Sequence, residues 1–331
     1  EVGDKRRALS SEKDVVQIHR EEARATIDPD DPAGFVVSAR GRNEVEKWNE
    51  QISLLCNAEG AKFLESPGQA PWVTPIYKVH PSPVRKRVED FAELLAGVVK
   101  AHDLDPAVWG WSPDGDASLA DYLARLPVEG PQGGIGQAIQ RQAVMINRAS
   151  SFSGAPGEHH GIGVEPYARF SSPMREMVGI HTHKEALEKL SGRPPPGWVR
   201  ESEASRAEMV EVANESQRRQ KRLAKAADKL VLDHLLGADL AAPEADRPVR
   251  AGTVLGVSAK KVYMRFDDPP LEVKLYVPDL ERAGAKLELS DDRAVLRSSG
   301  AELPDIRVGD SLAVKVDGYE ADRGRYQLAL A

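Results

Sequence analysis

An α+β fold is predicted by three observations. Apolar residues recur at helical spacing from Asn43 to Leu236, the composition turns rich in Ala, Pro and Asp at 241–248, and beyond that point apolar and polar residues alternate with a period of two. The chain is therefore read as two domains, residues 1–245, mostly helical with a small mixed sheet, and residues 246–331, all β.

Helical pattern opens at Asn43 and runs to Leu64, with Val45, Trp48, Ile52 and Leu55 as one apolar stripe and Glu46, Glu50, Ser53 and Asn57 as another. A loop follows, then a short strand at Ile76–Val79, and Pro81 and Pro83 separate it from a second helix over Val84–His102. Further helices are expected at Ile135–Arg148, at Met174–Leu190, and over Glu201–Leu236 as one long helix or two in tandem. Between the first two of these lies a Gly/Ser/Pro loop, Ser151–Glu158. The glycines of Gly133–Gly136 follow no strand, so they read as a helix-entry loop rather than a nucleotide cradle. The basic run Arg218, Arg219, Lys221, Arg222, Lys225 and Lys229 reads as the solvated face of the long helix.

Five strands are predicted in the second domain: Val249–Val257, Lys261–Asp267, Glu272–Val277, Ser311–Val316 and Arg325–Leu330. Five short strands in a unit this small suggest a five-stranded OB-fold β-barrel. Val262, Met264, Phe266, Val273 and Leu275 take its core face. Tyr263 and Tyr276, interleaved with Lys261, Arg265 and Lys274, are left outside, and stacking rings beside cations suit single-stranded RNA. Exposed tyrosines beside lysines are also ordinary on half-buried sheets. The strand order and the segment from Val308 to Val316 resemble the RNA-binding module first known in ribosomal protein S-one, which favours the RNA reading.

Composition narrows the function classes. A chain of 331 residues, 41% hydrophobic, can bury two cores. No apolar run approaches a membrane span and the first residues are charged rather than an export leader, so the cytoplasm is the expected location, with no membrane partner. The single cysteine, Cys56, excludes a disulfide framework or a cysteine-based zinc cluster and reads as a buried structural thiol. A net charge of −7 argues against indiscriminate nucleic-acid binding, so any RNA site must be a local patch.

The most informative segment runs from His159 to Arg175, HHGIGVEPYARFSSPMR. Ser172 followed by Pro173 reads as a helix start, with the hydroxyl as cap and proline in the first turn. Arg175 then falls in that first turn, where a cation is disfavoured unless an anion is near, and Arg169 lies just upstream. Local physics leaves two explanations open: a phosphate held between the helix start and both arginines, or an ion pair of Arg175 with Glu176.

The segment resembles the hallmark of the ribonuclease II (RNB) family, a histidine–aromatic–glycine–leucine run followed by tyrosine, phenylalanine, threonine or serine, serine, proline and arginine. The stretch from Arg42 through Glu50 to Asn57, the run Ile76–Pro81, and Met145 with Ala149 agree with the family in the same order. The resemblance implies that residues 1–245 are the distal part of an RNB-type catalytic domain. It implies processive 3′-to-5′ hydrolysis of single-stranded RNA to nucleoside monophosphates with magnesium, by a monomer. Arg175 matches the family's catalytic arginine, Glu50 and Tyr167 would line the RNA channel, and Arg169, Ser171 and Ser172 would stand at the phosphate.

The sequence departs from the family at two places. After Arg175 the family continues with a basic residue, tyrosine and, two further on, aspartate, where Glu176, Met177 and Gly179 stand in this chain. The family's early block of aspartates, its magnesium ligands, has no complete copy, so those ligands are expected upstream of Glu1. Asp28, Asp30 and Asp31 look like the start of that block but occupy the position of a mid-domain loop and read as an Asp/Pro turn. The histidines at 159, 160, 181 and 183 lack the thiols of a zinc site. Two functions therefore stand side by side: an exoribonuclease completed by an acidic block, and an inactive RNA-binding adapter derived from this family.

Overall fold

The computed structural model describes residues 2–11, 15–16, 22–30, 34–66, 72–172, 175–193, 199–300 and 303–331. In chain order its elements are α1 (Val2–Ser11), β1 (Glu22–Ile27), β2 (Phe35–Arg40), α2 (Glu44–Glu65), β3 (Tyr77–Val79), α3 (Arg85–Ala101), α4 (Pro106–Trp109), α5 (Leu119–Arg125), α6 (Gly133–Met145) and β4 (Ser151–Ser153). Then come α7 (Met177–Ser191), α8 (Val199–Ala241), β5 (Arg250–Ser258), β6 (Lys261–Phe266), β7 (Glu272–Tyr276), α9 (Val277–Leu280), β8 (Leu287–Leu289), β9 (Val295–Ser298), β10 (Ile306–Arg307), β11 (Ser311–Glu320) and β12 (Arg325–Leu330). The chain forms two compact units: residues 1–15, 42–83 and 147–225 make the first, and residues 16–41, 84–146 and 226–331 the second. The expected boundary at 245 falls inside the second unit. Among the described residues no helix is long and apolar enough to cross a membrane.

In the first unit α2 starts at a capping box, with Asn43 Oδ1 accepting from the Glu46 N–H at 2.9 Å and the Glu46 carboxylate accepting from the Asn43 N–H at 3.0 Å. The expected apolar stripe is not its buried side. Val45, Trp48 and Ile52 are exposed, and burial passes to Asn57, Ala58, Ala61 and Leu64 in the second half of the helix. Small residues decide this: Ala61 packs on Tyr77 and Ala168, and a Cβ on Gly60 would stand 2.3 Å from the Phe170 ring. Close approach at that point holds the segment 167–170 against the helix. Cys56, expected in a core, is exposed.

β3 is pinned on both sides. It pairs antiparallel with β4, and on its other edge Tyr77 bridges Ala168 while the Lys78 N–H donates to the Tyr167 carbonyl at 2.8 Å. The helix expected from Pro173 begins at Met177, with Glu176 as its N-terminal flanking residue; Pro173 and Met174 lie outside the described residues. Ser172 is not its cap, because the Ser172 hydroxyl accepts from two guanidinium groups instead of from backbone amides. The long helix is one element, of 43 residues.

In the second unit all five predicted strands join one antiparallel sheet in the order β12-β11-β5-β6-β7, whose edges are β12 and β7. Val262, Met264, Phe266 and Leu275 are fully buried in its core, as their alternation requires. A hairpin, β1–β2, and a three-stranded sheet, β10-β9-β8, are additional to the predicted elements.

Candidate phosphate-binding site

Within the first unit a cavity of about 650 Å³ is lined by Lys78, His159, Tyr167, Arg169, Arg175 and Glu176, with Phe152 and Gln217 at its wall. Three cations and one carboxylate thus converge where β3, the 167–172 segment and the start of α7 meet.

Each side chain has a local cause for its position. Tyr167 is buried, and its hydroxyl accepts from Asn57 Nδ2 at 2.8 Å. The same Nδ2 reaches Ser171 Oγ at 3.0 Å, and Asn57 Oδ1 accepts from the Ser171 N–H at 2.7 Å. One buried amide on α2 therefore fixes both ends of the segment that carries Arg169. Ser172 is buried beneath the arginines, its Oγ 3.3 Å from Arg169 Nη2 and 3.4 Å from Arg175 Nη2. The Arg169 Nε donates to Glu176 Oε2 at 2.9 Å, and its Nη2 donates to the other carboxylate oxygen. The ion pair considered between Arg175 and Glu176 is thus formed by Arg169. Among the described residues Arg175 is exposed and has no ion-pair partner.

Lys78 was not singled out as a site residue by sequence reasoning. Its ammonium lies 4.0 Å from the Phe152 ring centroid and donates to Gln217 Oε1 at 2.8 Å. Burial, and then the nearby charge of Arg169, push it down to about 8. The one available signal was a lone cation on a short apolar strand. His159 packs on Tyr167 at 5.1 Å between ring centroids, and burial followed by the neighbouring His80 pushes it down to about 4, so it lines the cavity neutral. The Arg169 hydrogen bonds hold the Glu176 carboxyl below the usual carboxylate range.

Glu50 stands elsewhere, exposed on α2 and paired with Arg42 at 2.9 Å. On the C-terminal sheet, Tyr263 and Lys274 are exposed and directly opposite in the β6–β7 ladder. Arg265 donates to Gln137 of α6 at 2.5 Å, and its cross-strand neighbour Glu272 pairs with Arg141 of the same helix at 3.0 Å. That end of the face is therefore engaged by α6. Tyr276 carries the Arg325 guanidinium 3.9 Å from its ring centroid, with the Lys261 ammonium at 5.3 Å.

No group of three or more His, Cys, Asp or Glu side chains able to hold a metal occurs among the described residues. Asp28 Oδ1 accepts from the Asp30 N–H at 2.9 Å inside the β1–β2 turn, and Asp31 lies outside the described residues. These residues do not fit the paired magnesium ions that the RNB resemblance implies.

Comparison with known proteins places this geometry in a family. Residues 1–185 match the RNB domain. Ribonuclease R of Escherichia coli K12 is 21% identical over 300 residues, covering 87% of this chain and 34% of the relative, and ribonuclease R of Vibrio cholerae is 24% identical over 163 residues, covering 48% and 18%. The chain thus spans about a third or less of the curated relatives it matches. Among solved structures, Mycoplasma genitalium RNase R in complex with ribose-methylated single-stranded RNA superposes with a TM-score of 0.79 at 15% identity, over 99% of this chain and 48% of that one. Yeast Ssd1, described as a pseudonuclease, gives 0.53 at 13% identity over 76% and 29%.

Proposed function

The chain belongs to the RNB domain family, and from that premise we propose that it acts in 3′-to-5′ hydrolysis of single-stranded RNA to nucleoside 5′-monophosphates. The observation that carries this reading is the convergence of Lys78, Arg169 and Arg175 on one cavity beside Tyr167. Clustered cations in a partly dry cavity repel one another and call for an anion, and an RNA backbone supplies one with each nucleotide. Lys78, with its fixed ammonium, positions a phosphate. Arg175, free of an ion pair among the described residues, is the group available to stabilise charge that builds on the phosphoryl oxygens during water attack. Tyr167, buried and held by Asn57, backs the segment that carries Arg169 into the cavity. The magnesium of such a reaction would activate the water, and the described residues do not supply its ligands.

The C-terminal sheet is read as an OB-type barrel, with Tyr263 and Lys274 as its open stacking and phosphate contacts. A second reading, an RNA-binding adapter without hydrolysis, is favoured by Glu176, which places a carboxylate on one of the cavity's arginines. Incubation of the purified full-length protein with 5′-labelled single-stranded RNA, in magnesium and in chelator, tests both. A ladder receding from the 3′ end in magnesium alone supports the enzyme. Binding without shortening supports the adapter, and no binding at all removes both.

A further inference from the structure

The Arg169–Glu176 pair is built as a phosphate contact is built. Two nitrogens on one edge of the guanidinium, Nε and Nη2, take the two oxygens of one carboxylate, the side-on fork by which arginine also takes a phosphate. One edge cannot hold both anions. The pair is partly buried and lines the same cavity as Lys78 and Arg175, and Ser172 Oγ bridges the two arginines at 3.3 and 3.4 Å. Close packing makes the pair possible: a Cβ on Gly179 would stand 2.3 Å from the Ser172 carbonyl oxygen, so the glycine lets α7 bring Glu176 up to Arg169.

Resting on the RNA reading of the cavity, we propose that Glu176 is an internal anion that occupies Arg169 until an RNA phosphate displaces it. The site then holds each phosphate less tightly than its three cations would alone, which suits a strand that must advance one nucleotide at a time. Glu176 is in this sense a positioning residue, acting on RNA through Arg169.

The test uses the full chain, Glu176→Gln, and the double variant Arg169→Gln/Glu176→Gln, with inorganic phosphate and a ten-nucleotide oligoadenylate as probes. Removing the competing charge is expected to tighten binding of both probes by about tenfold, the scale of one charge-assisted hydrogen bond. The slope of log affinity against log salt for the oligonucleotide is expected to steepen by at most about 0.7, because in the parent chain the displaced Glu176 carboxylate takes back a cation that glutamine does not. The double variant is expected to lose both gains. Glu176→Gln binding phosphate no better than the parent chain overturns the proposal, and so does a gain that survives in the double variant.

A readout on the unsubstituted chain does not depend on how the variants fold. The Arg169 Nε–H signal, assigned by its loss in Arg169→Lys, is expected to shift as phosphate is added, and a signal that stays fixed at saturating phosphate overturns the proposal. Phosphate effects as expected with no oligonucleotide binding would support the internal anion while removing the RNA reading. Oligonucleotide binding with no response to Glu176→Gln would do the reverse.

Discussion

Lys78 gives the cavity a pH signature. Its ammonium is pushed down to about 8 by burial and by Arg169, with Lys221 opposing its charge as well and Glu176 partly offsetting both. The lowered value means that the free protein loses this charge as pH rises through 8. A phosphate bound beside the ammonium favours the charged form, so binding above pH 8 must be accompanied by proton uptake. With a value of about 8 in the free protein and a well-raised one in the complex, the dissociation constant for phosphate scales as one plus ten to the power pH minus 8. From pH 7 to pH 9 that is a weakening of about tenfold. His159, at about 4, stays neutral across this window and contributes nothing to it. Titration calorimetry with inorganic phosphate at pH 7, 8 and 9, in buffers of different ionisation enthalpy, reads both the affinity and the proton taken up. Lys78→Arg, which keeps a charge at all these values, should flatten the dependence. Affinity that is flat to pH 9 in the parent chain, or a slope that persists in Lys78→Arg, refutes the reasoning.

Three further outcomes are expected. Arg175→Ala should lower turnover of single-stranded RNA by about a hundredfold or more while changing its dissociation constant by less than tenfold, because the missing charge matters most in the transition state; equal losses in steady-state kinetics and in binding would make Arg175 a phosphate clamp only. Asn57→Ala removes the amide partner of the buried Tyr167 hydroxyl and the acceptor of the part-buried Ser171 N–H, and urea unfolding should register a loss of about 2 kcal/mol; an unchanged midpoint would mean that water replaces the amide. Gly179→Ala forces a Cβ to within 2.3 Å of the Ser172 carbonyl oxygen, so it should cost about 1–3 kcal/mol in thermal unfolding and change the Arg169 Nε–H signal, with an unperturbed signal counting against close packing as the source of the ion pair.

Periodicity made the helices and the C-terminal strands legible, because burial on one face imposes 3.6- and 2-residue repeats that survive any packing detail. It misled where burial depends on size rather than hydropathy. The exposed stripe of Val45, Trp48 and Ile52 is more apolar than the true inner face, but Ala58 and Ala61 allow the close contact that the larger residues would block. The glycines at 133–136 show the same limit. Gly134 packs α6 against Thr253 and the Gly309 carbonyl, and a Cβ on Gly136 would meet the Pro127 carbonyl oxygen at 1.9 Å, so they serve helix docking as well as helix entry. At the site, the motif from Tyr167 to Arg175 was readable as a string. Lys78 was not, because a contact from 89 residues earlier in the chain, made by pairing of β3 with the segment at 167–168, leaves no local pattern.

The departures after Arg175 make more sense together than singly. Charge reversal at 176 alone would place a carboxylate beside two arginines and Ser172, where its reach is decided by how near α7 can come. The aspartate of the family pattern has a Cβ, and at position 179 that Cβ would meet the carbonyl oxygens of Ser172 and Arg169 at 2.3 and 3.3 Å. Glycine removes that steric obstacle. Glu176 can then close on Arg169, and Arg175 is left unpaired among the described residues. A carboxylate that paired with Arg175 instead would have taken up that guanidinium of the cavity. By closing on Arg169 it leaves the Arg175 guanidinium without an ion-pair partner among the described residues and open to a bound anion.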